Sequence, residues 1–290
     1  MFKRRKNFLE ISLYLSPALL FISFVFFFPI IKVIQYSFAI VKAGKVNLVG
    51  FMNYKVLFKD SIFLDGLKHN FILLISVPVM IILSLFFAVI LYERIKGWKF
   101  YRFSLFLPYI LAIPVVGVIF TYIFQLNGVL NFLIEKIGLG FLALDWIGSA
   151  KWALWTIMFV IIWKELGFGI VLILARLMSV PKDLYEAAEI DGCSWIKKHI
   201  YITIPQTKNV VSLLTVILII TMLSWVFNYI YVMTLGGPGS STMVAEYYIY
   251  KTAFRYNNIG LASAAAVILF IITFIFIIIQ ARLRGREETE

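Results

Sequence analysis

Cysteine and histidine are nearly missing from this 290-residue chain: Cys193 stands alone, and His69 and His199 are the two histidines. One cysteine excludes an intramolecular disulfide, and three such residues scattered along the chain assemble no metal cluster. No GxxxxGKS or GxxxxGKT occurs, so the chain carries no phosphate-binding loop for hydrolysing a nucleotide itself. HExxH, GxSxG and paired carboxylates are equally missing from its apolar stretches, which leaves nothing to support an intramembrane enzyme. There is no low-complexity tract and no repeat of solenoid period. Acidic residues are few, 15 against 27 Lys and Arg.

What is abundant is apolar surface: 62% of the residues are hydrophobic and 17% aromatic, and the mean hydropathy is +0.95. A soluble domain of average composition does not look like this, and a bilayer is the expected solvent. Runs of the ~20 residues needed to cross a bilayer are predicted at 11–36, 69–92, 103–124, 152–177, 209–235 and 259–281. The net charge of +12 sits in short runs at the ends of these spans rather than on one basic face, so nucleic acid is not an expected partner. Six crossings put both ends on one side. On that side Lys and Arg number four in 1–10, four in 93–102, five in 176–208 and three in 281–290, against nine in 37–68, 125–151 and 236–256 together. The positive-inside rule then makes both termini and the 178–208 loop cytoplasmic. Lys3, Arg4, Arg5 and Lys6 precede the first span as in a signal peptide, but the apolar run is longer than an h-region and no small-residue cleavage site follows, so the span is expected to be retained. Pro17, Pro29, Pro78, Pro108 and Pro114 each free a backbone carbonyl and predict kinks supported by neighbouring helices.

Between the fourth and fifth spans lies a polar stretch, EAAEIDGCSWIKKHIYITIP at 186–205. Pro181 can open a helix, where its missing N–H does no harm. Leu184, Ala187, Ala188 and Asp191 then share one narrow face, kept low by the alanines so that a partner can approach closely. Gly192 is free to turn left-handed at the helix end, Ser194 can cap a second short helix, and Pro205 is expected to stop the unit. This stretch resembles the EAA loop of ABC-importer permeases, with EAA at 186–188, Asp191 and Gly192 at the family's spacing, and Ile202 and Pro205 closing the pattern. Cys193 stands where the family usually has Ala, Ile204 where it has Leu, and no second proline follows near Lys208.

The rest of the chain is similar to the carbohydrate-uptake branch of these permeases, of the maltose- and glycerol-phosphate type, and to the first subunit of an unlike pair. VGFMNYKVLFKD (49–60), YRFSLFLPYILAIPVVG (101–117), WKELGFGIVLILARLMSVP (163–181), FNYIYVMTLGGPGSST (227–242) and YIYKTAFRYNNIGLASAAAV (248–267) carry the likeness, with Asn228 at a frequent Asp. The resemblance implies an all-α membrane protein of the type I importer fold: a six-helix permease domain over 11–281, an N-terminal cytoplasmic segment 1–10 and a tail 282–290. It implies a second permease subunit, two ATPase subunits carrying ATP and Mg, an extracytoplasmic solute-binding protein and a sugar substrate, in a bacterial or archaeal cell membrane. This chain itself binds no cofactor in that scheme.

Site residues follow from motif and chemistry together. Glu186, Ala187, Ala188, Asp191, Gly192 and Pro205 are expected to dock on the ATPase. The competing reading, an amphipathic helix on the membrane surface, is disfavoured by Asp183, Glu186, Glu189 and Asp191, which anionic lipid would repel. Lys164 and Glu165 lie mid-span, where a charge costs about 2.5–3.5 kcal/mol on insertion scales, so they should face a polar cavity or pair. With Trp225, Asn228 and Tyr231, which offer a stacking surface and polar groups to a sugar, they form a candidate substrate path. The alternative is a Lys–Glu pair that locks helices among aromatics that fill core. Gly236, Gly237 and Pro238, in an outer turn, are candidates for contact with the binding protein. Glycerol phosphate or another non-sugar solute is the alternative cargo. An ion-coupled carrier is the rival class, and Glu165 alone is a thin relay for it.

Overall fold

The computed structural model describes residues 14–42 and 44–287, with side chains as far as Arg282. The segment 1–10, its basic cluster and the last residues of the 282–290 tail lie outside the described residues. Six helices among the described residues are long and apolar enough to span a membrane: Tyr14–Ser37, Ser61–Tyr92, Ile113–Lys136, Ala153–Leu177, Trp195–Met233 and Ile259–Arg282. The chain divides into two compact units, one of Ser61 and the residues before it with 248–270, the other of 62–247 with the residues from 271 onward.

In the first unit a two-stranded antiparallel hairpin, β1 (Ala39–Lys42) and β2 (Lys45–Leu48), follows the first span, with Ala39 opposite Leu48 and Lys42 opposite Lys45. It was not anticipated in a chain read as all-α. Asn53 explains how it is held: its Nδ2 donates to the carbonyls of Ser37 at 2.9 Å and Ala39 at 3.0 Å, two acceptors where the helix ends and the strand begins. Tyr54 adds a bond to Ser37 Oγ at 2.8 Å. Asp60 accepts from the Tyr248 hydroxyl at 2.6 Å, so the 49–60 signature ties this unit's two sequence segments together.

In the second unit the helix Ala153–Leu177 is unbroken and mostly buried. It packs against Ser76–Tyr92, Trp98–Ile110 and Ile204–Ile220. Close approach is set by two glycines. A Cβ on Gly167 would stand 2.6 Å from the Leu105 carbonyl, and one on Gly169 would collide with Ser84 Oγ. Such small-residue contacts let backbones approach in lipid, where no hydrophobic force pushes helices together.

The prolines shape the spans locally. Residues 103–124 do not form the single expected span. Trp98–Ile110 ends at Leu111, Leu111 and Ala112 are extended, and Ile113–Phe124 starts afresh, because Pro114 has no N–H to give the Ile110 carbonyl four residues back. The membrane-length segment is Ile113–Lys136 instead. Ser23–Phe27 is a π-turn just before Pro29, and the second span breaks at 74–75 just before Pro78, as expected where a carbonyl loses its donor.

Candidate functional site

The elbow is built on one anchor. Its first helix, Asp183–Ile190, buries only Tyr185, whose hydroxyl bonds Thr203 Oγ1 at 3.0 Å. One buried residue in eight leaves the remainder free for another surface. Glu186, Ala187, Asp191 and Gly192 are exposed and Ala188 is half-buried, so the low face presents itself outward. Gly192 turns the chain at φ +72°, the left-handed region a side chain resists. Lys198 then reaches back to Glu189 at 2.7 Å, closing the hairpin.

Two local expectations are corrected. Ser194 has the extended backbone of an N-cap but its side chain makes no capping bond. Pro205 does not stop the unit. Helix passes through it from Trp195 to Met233, because the preceding π-turn His199–Thr203 bonds the Ile204 N–H to the His199 carbonyl and shifts the ladder where Pro205 lacks a donor. The fifth span therefore begins inside the elbow, 14 residues earlier than the expected 209. Pro205 itself is exposed. Arg176, at the end of the fourth span, clamps the base of the elbow: Nε donates to the Gln206 carbonyl at 2.8 Å and Nη2 to its Oε1 at 3.2 Å.

Deeper in the second unit, Lys164 and Glu165 do pair, at 3.4 Å, with 6% and 13% of their side chains exposed. The Lys164 ammonium also donates to the Tyr109 carbonyl at 3.3 Å and lies 5.2 Å from that ring's centre, and the fully buried Tyr229 donates to Glu165 at 2.8 Å. Of the expected path, Trp225 is 58% exposed and Tyr231 39% exposed, Asn228 donates to the Trp225 carbonyl at 3.2 Å, and Tyr231 stacks on Phe227. Tyr229, which reaches the charged pair from the fifth span, thus shares the helix Val226–Met233 with Asn228 and Tyr231, and Trp225 stands at its start. Sequence reasoning missed Tyr229 and Tyr109. A mid-span carboxylate demands a donor, and Tyr229, one turn after Trp225, was the available signal.

Of the outer turn, Gly236 is enclosed against Met243 and Tyr247 with φ +82°. Gly237 and Pro238 are half-buried and Gly239 exposed. Thr242 fixes the turn, donating to the Gly237 carbonyl at 2.7 Å. A second cluster was not foreseen. Asn70 donates to Glu246 Oε2 at 2.9 Å and to the Met222 carbonyl at 3.3 Å, while its Oδ1 accepts from the Ala245 N–H at 2.9 Å. Glu246 Oε1 is buried with no hydrogen-bond partner among the described residues. Glu246 lies in the short helix Ala245–Tyr250, outside the six spans, and burial pushes its carboxyl up to about 7, opposed by the Asn70 bond.

Residues 66–288 match the family described as binding-protein-dependent transport system inner membrane component. The chain belongs to that family. Among its relatives this permease is 33% identical to the probable ABC transporter permease protein YurN of Bacillus subtilis, over 95% of this chain and 97% of the other. It is 35% identical to the diacetylchitobiose uptake system permease protein NgcF of Streptomyces coelicolor, over 84% and 73%. A solved bacterial ABC transporter involved in the import of the acidic polysaccharide alginate matches the permease fold with a TM-score of 0.86 at 23% identity, covering 98% of both chains. The protein is accordingly a multi-pass component of the cell membrane and has the architecture of an importer permease.

Proposed function

We propose that this chain is one of two unlike permease subunits of an ATP-driven sugar or oligosaccharide importer, and that the elbow transmits closure of separate ATPase subunits to the substrate path. One observation carries the reading: the elbow's second helix and the fifth span are a single helix, Trp195–Met233. A load on the exposed face of Glu186, Ala187 and Ala188 passes through the Gly192 turn into the helix that bears Trp225, Asn228 and Tyr231, beside the Lys164–Glu165 pair. Rigid elements that rock between two packed arrangements are the usual way such a displacement opens and closes a passage.

Glu186 accepts a charge-assisted hydrogen bond from a basic residue of the ATPase, which binds ATP and Mg. The elbow and both termini lie in the cytoplasm on this reading, as the charge asymmetry supports. Sugar as cargo is supported by relatives named for diacetylchitobiose and for arabinooligosaccharides, and by the aromatic and amide groups beside the charged pair. The alginate importer has also been solved in complex with an alginate pentasaccharide-bound periplasmic protein. That supports an extracytoplasmic solute-binding protein for this chain, resting against the 236–239 turn through Gly237 and Pro238, while Gly236, the third candidate, is enclosed against Met243 and Tyr247. The first span, none of whose apolar window is buried, suits contact with lipid and the second permease.

The test is the complex reconstituted in proteoliposomes with its binding protein. Glu186→Ala and Gly192→Val should release the ATPase subunits or lower solute imported per ATP several-fold. Full coupling in both variants would overturn the reading.

A further inference from the structure

We propose that Glu93, in the turn that follows the second span, is a positioning residue for the elbow, so that elbow movement is passed to the second span as well as the fifth; this rests on the coupling reading above. Oε1 of Glu93 accepts from Trp195 Nε1 at 2.7 Å and faces His199 Nε2 at 3.2 Å. On the other side of the imidazole, Nδ1 lies 2.8 Å from Thr203 Oγ1, and Thr203 Oγ1 lies 3.0 Å from the Tyr185 hydroxyl. A single neutral tautomer satisfies the whole chain. Tyr185 donates to Thr203, Thr203 donates to Nδ1, and the Nε2–H donates to Glu93, so Thr203 and His199 each donate once and accept once.

The relay joins three separate pieces of sequence: the end of the second span, the elbow's first helix through Tyr185, and its second through Trp195, His199 and Thr203. Ring contacts follow the same route, Trp195 edge-on to His199 at 4.6 Å and Tyr92 against Tyr185 at 5.6 Å. Glu93, Tyr185 and His199 of the relay also border a cavity of about 370 Å³ between these elements, which Trp98, Arg102 and Glu186 line as well. Packing across the cavity is therefore incomplete, and besides the Tyr92–Tyr185 contact the side-chain relay holds the elbow against the end of the second span. A hollow flanked by one polar tether permits two arrangements of the elbow, whereas a filled core permits one. Without the tether the ATPase moves the elbow into the hollow and the second span stays behind.

The experiment uses the full complex in proteoliposomes and reads import and ATP hydrolysis together. Glu93→Leu should keep ATP hydrolysis within about twofold and lower solute imported per ATP several-fold. Glu93→Gln should restore the ratio, since its amide oxygen still accepts from Trp195 and His199. Trp195→Phe, which keeps the ring against His199 and deletes only the 2.7 Å donation, should fall between, and it decides the matter if Glu93→Leu does not assemble. Wild-type stoichiometry in Glu93→Leu or in Trp195→Phe, or a glutamine variant as poor as the leucine one, overturns the proposal. Run beside them, Glu186→Ala separates the two readings. If it uncouples while Glu93→Leu does not, only the positioning role falls; if neither uncouples, the coupling function falls with it.

Discussion

Tyr229 donates its phenolic hydrogen to Oε1 of Glu165 at 2.8 Å, the same oxygen that Lys164 approaches at 3.4 Å. One carboxylate oxygen thus joins the fourth span to the fifth while both side chains stay out of lipid. Hydrogen bonds within a membrane are worth about 0.6 kcal/mol on average and up to about 1.7, and a charged acceptor places this one toward the upper end. Tyr229→Phe is expected to destabilise the purified subunit by about 1–2 kcal/mol, measured as a lowered thermal midpoint. If the pair lies on the solute path, the same variant also raises the KM for import. An altered midpoint with unchanged KM assigns the pair to helix locking.

Glu246 makes stability depend on pH. Its carboxyl titrates near 4.5 in the unfolded chain and near 7 in the fold, because burial disfavours the charged form. Between those values the folded state holds the extra proton, so stability falls as pH rises from about 4.5 to 7 and levels off above. The loss from this group amounts to about 3 kcal/mol at most. Glu246→Gln carries no titrating proton, and thermal midpoints measured from pH 5 to 8 should be flatter than in the parent. An unchanged slope would remove Glu246 as its source.

Most of the spans were legible because a bilayer imposes a length and a composition on every crossing. The elbow was legible for a different reason: Gly192 and the alanines before it are local chemistry with local consequences. What escaped was set by partners far away in sequence. Asn70 and Glu246 are 176 positions apart, and no periodicity announces such a pair. The prolines were seen but only half understood. Pro114 split the third span where a kink was expected, whereas Pro205 broke nothing, because a π-turn had already shifted the ladder. The identity of a proline does not say whether the preceding backbone can re-route its bonds.

Arg176 grips the base of the elbow through two separate nitrogens on Gln206, a fork that a lysine cannot reproduce. Arg176→Lys keeps the charge, so folding and membrane orientation should be unaffected. The junction of fourth span and elbow should loosen, and solute imported per ATP should drop about twofold or more. Import at parental stoichiometry would show that the clamp is not needed to carry the load.

Gly167 sets how closely Ala153–Leu177 and Trp98–Ile110 pack. A methyl group there meets the Leu105 carbonyl at 2.6 Å and the Phe106 Cα at 3.1 Å, both backbone atoms that no rotamer change can move away. Overpacking of this kind costs about 1–3 kcal/mol, more than the ~1 kcal/mol that alanine gains over glycine within a helix. Gly167→Ala should therefore lower the thermal midpoint. Helix separation also places the Lys164 ammonium against the Tyr109 carbonyl at 3.3 Å, three residues along from the site of the clash. The substitution should thus weaken import beyond what lost protein explains, read as transport per folded complex. A midpoint at or above that of the parent would mean that the two helices have room to part, and that the glycine is not what sets their distance.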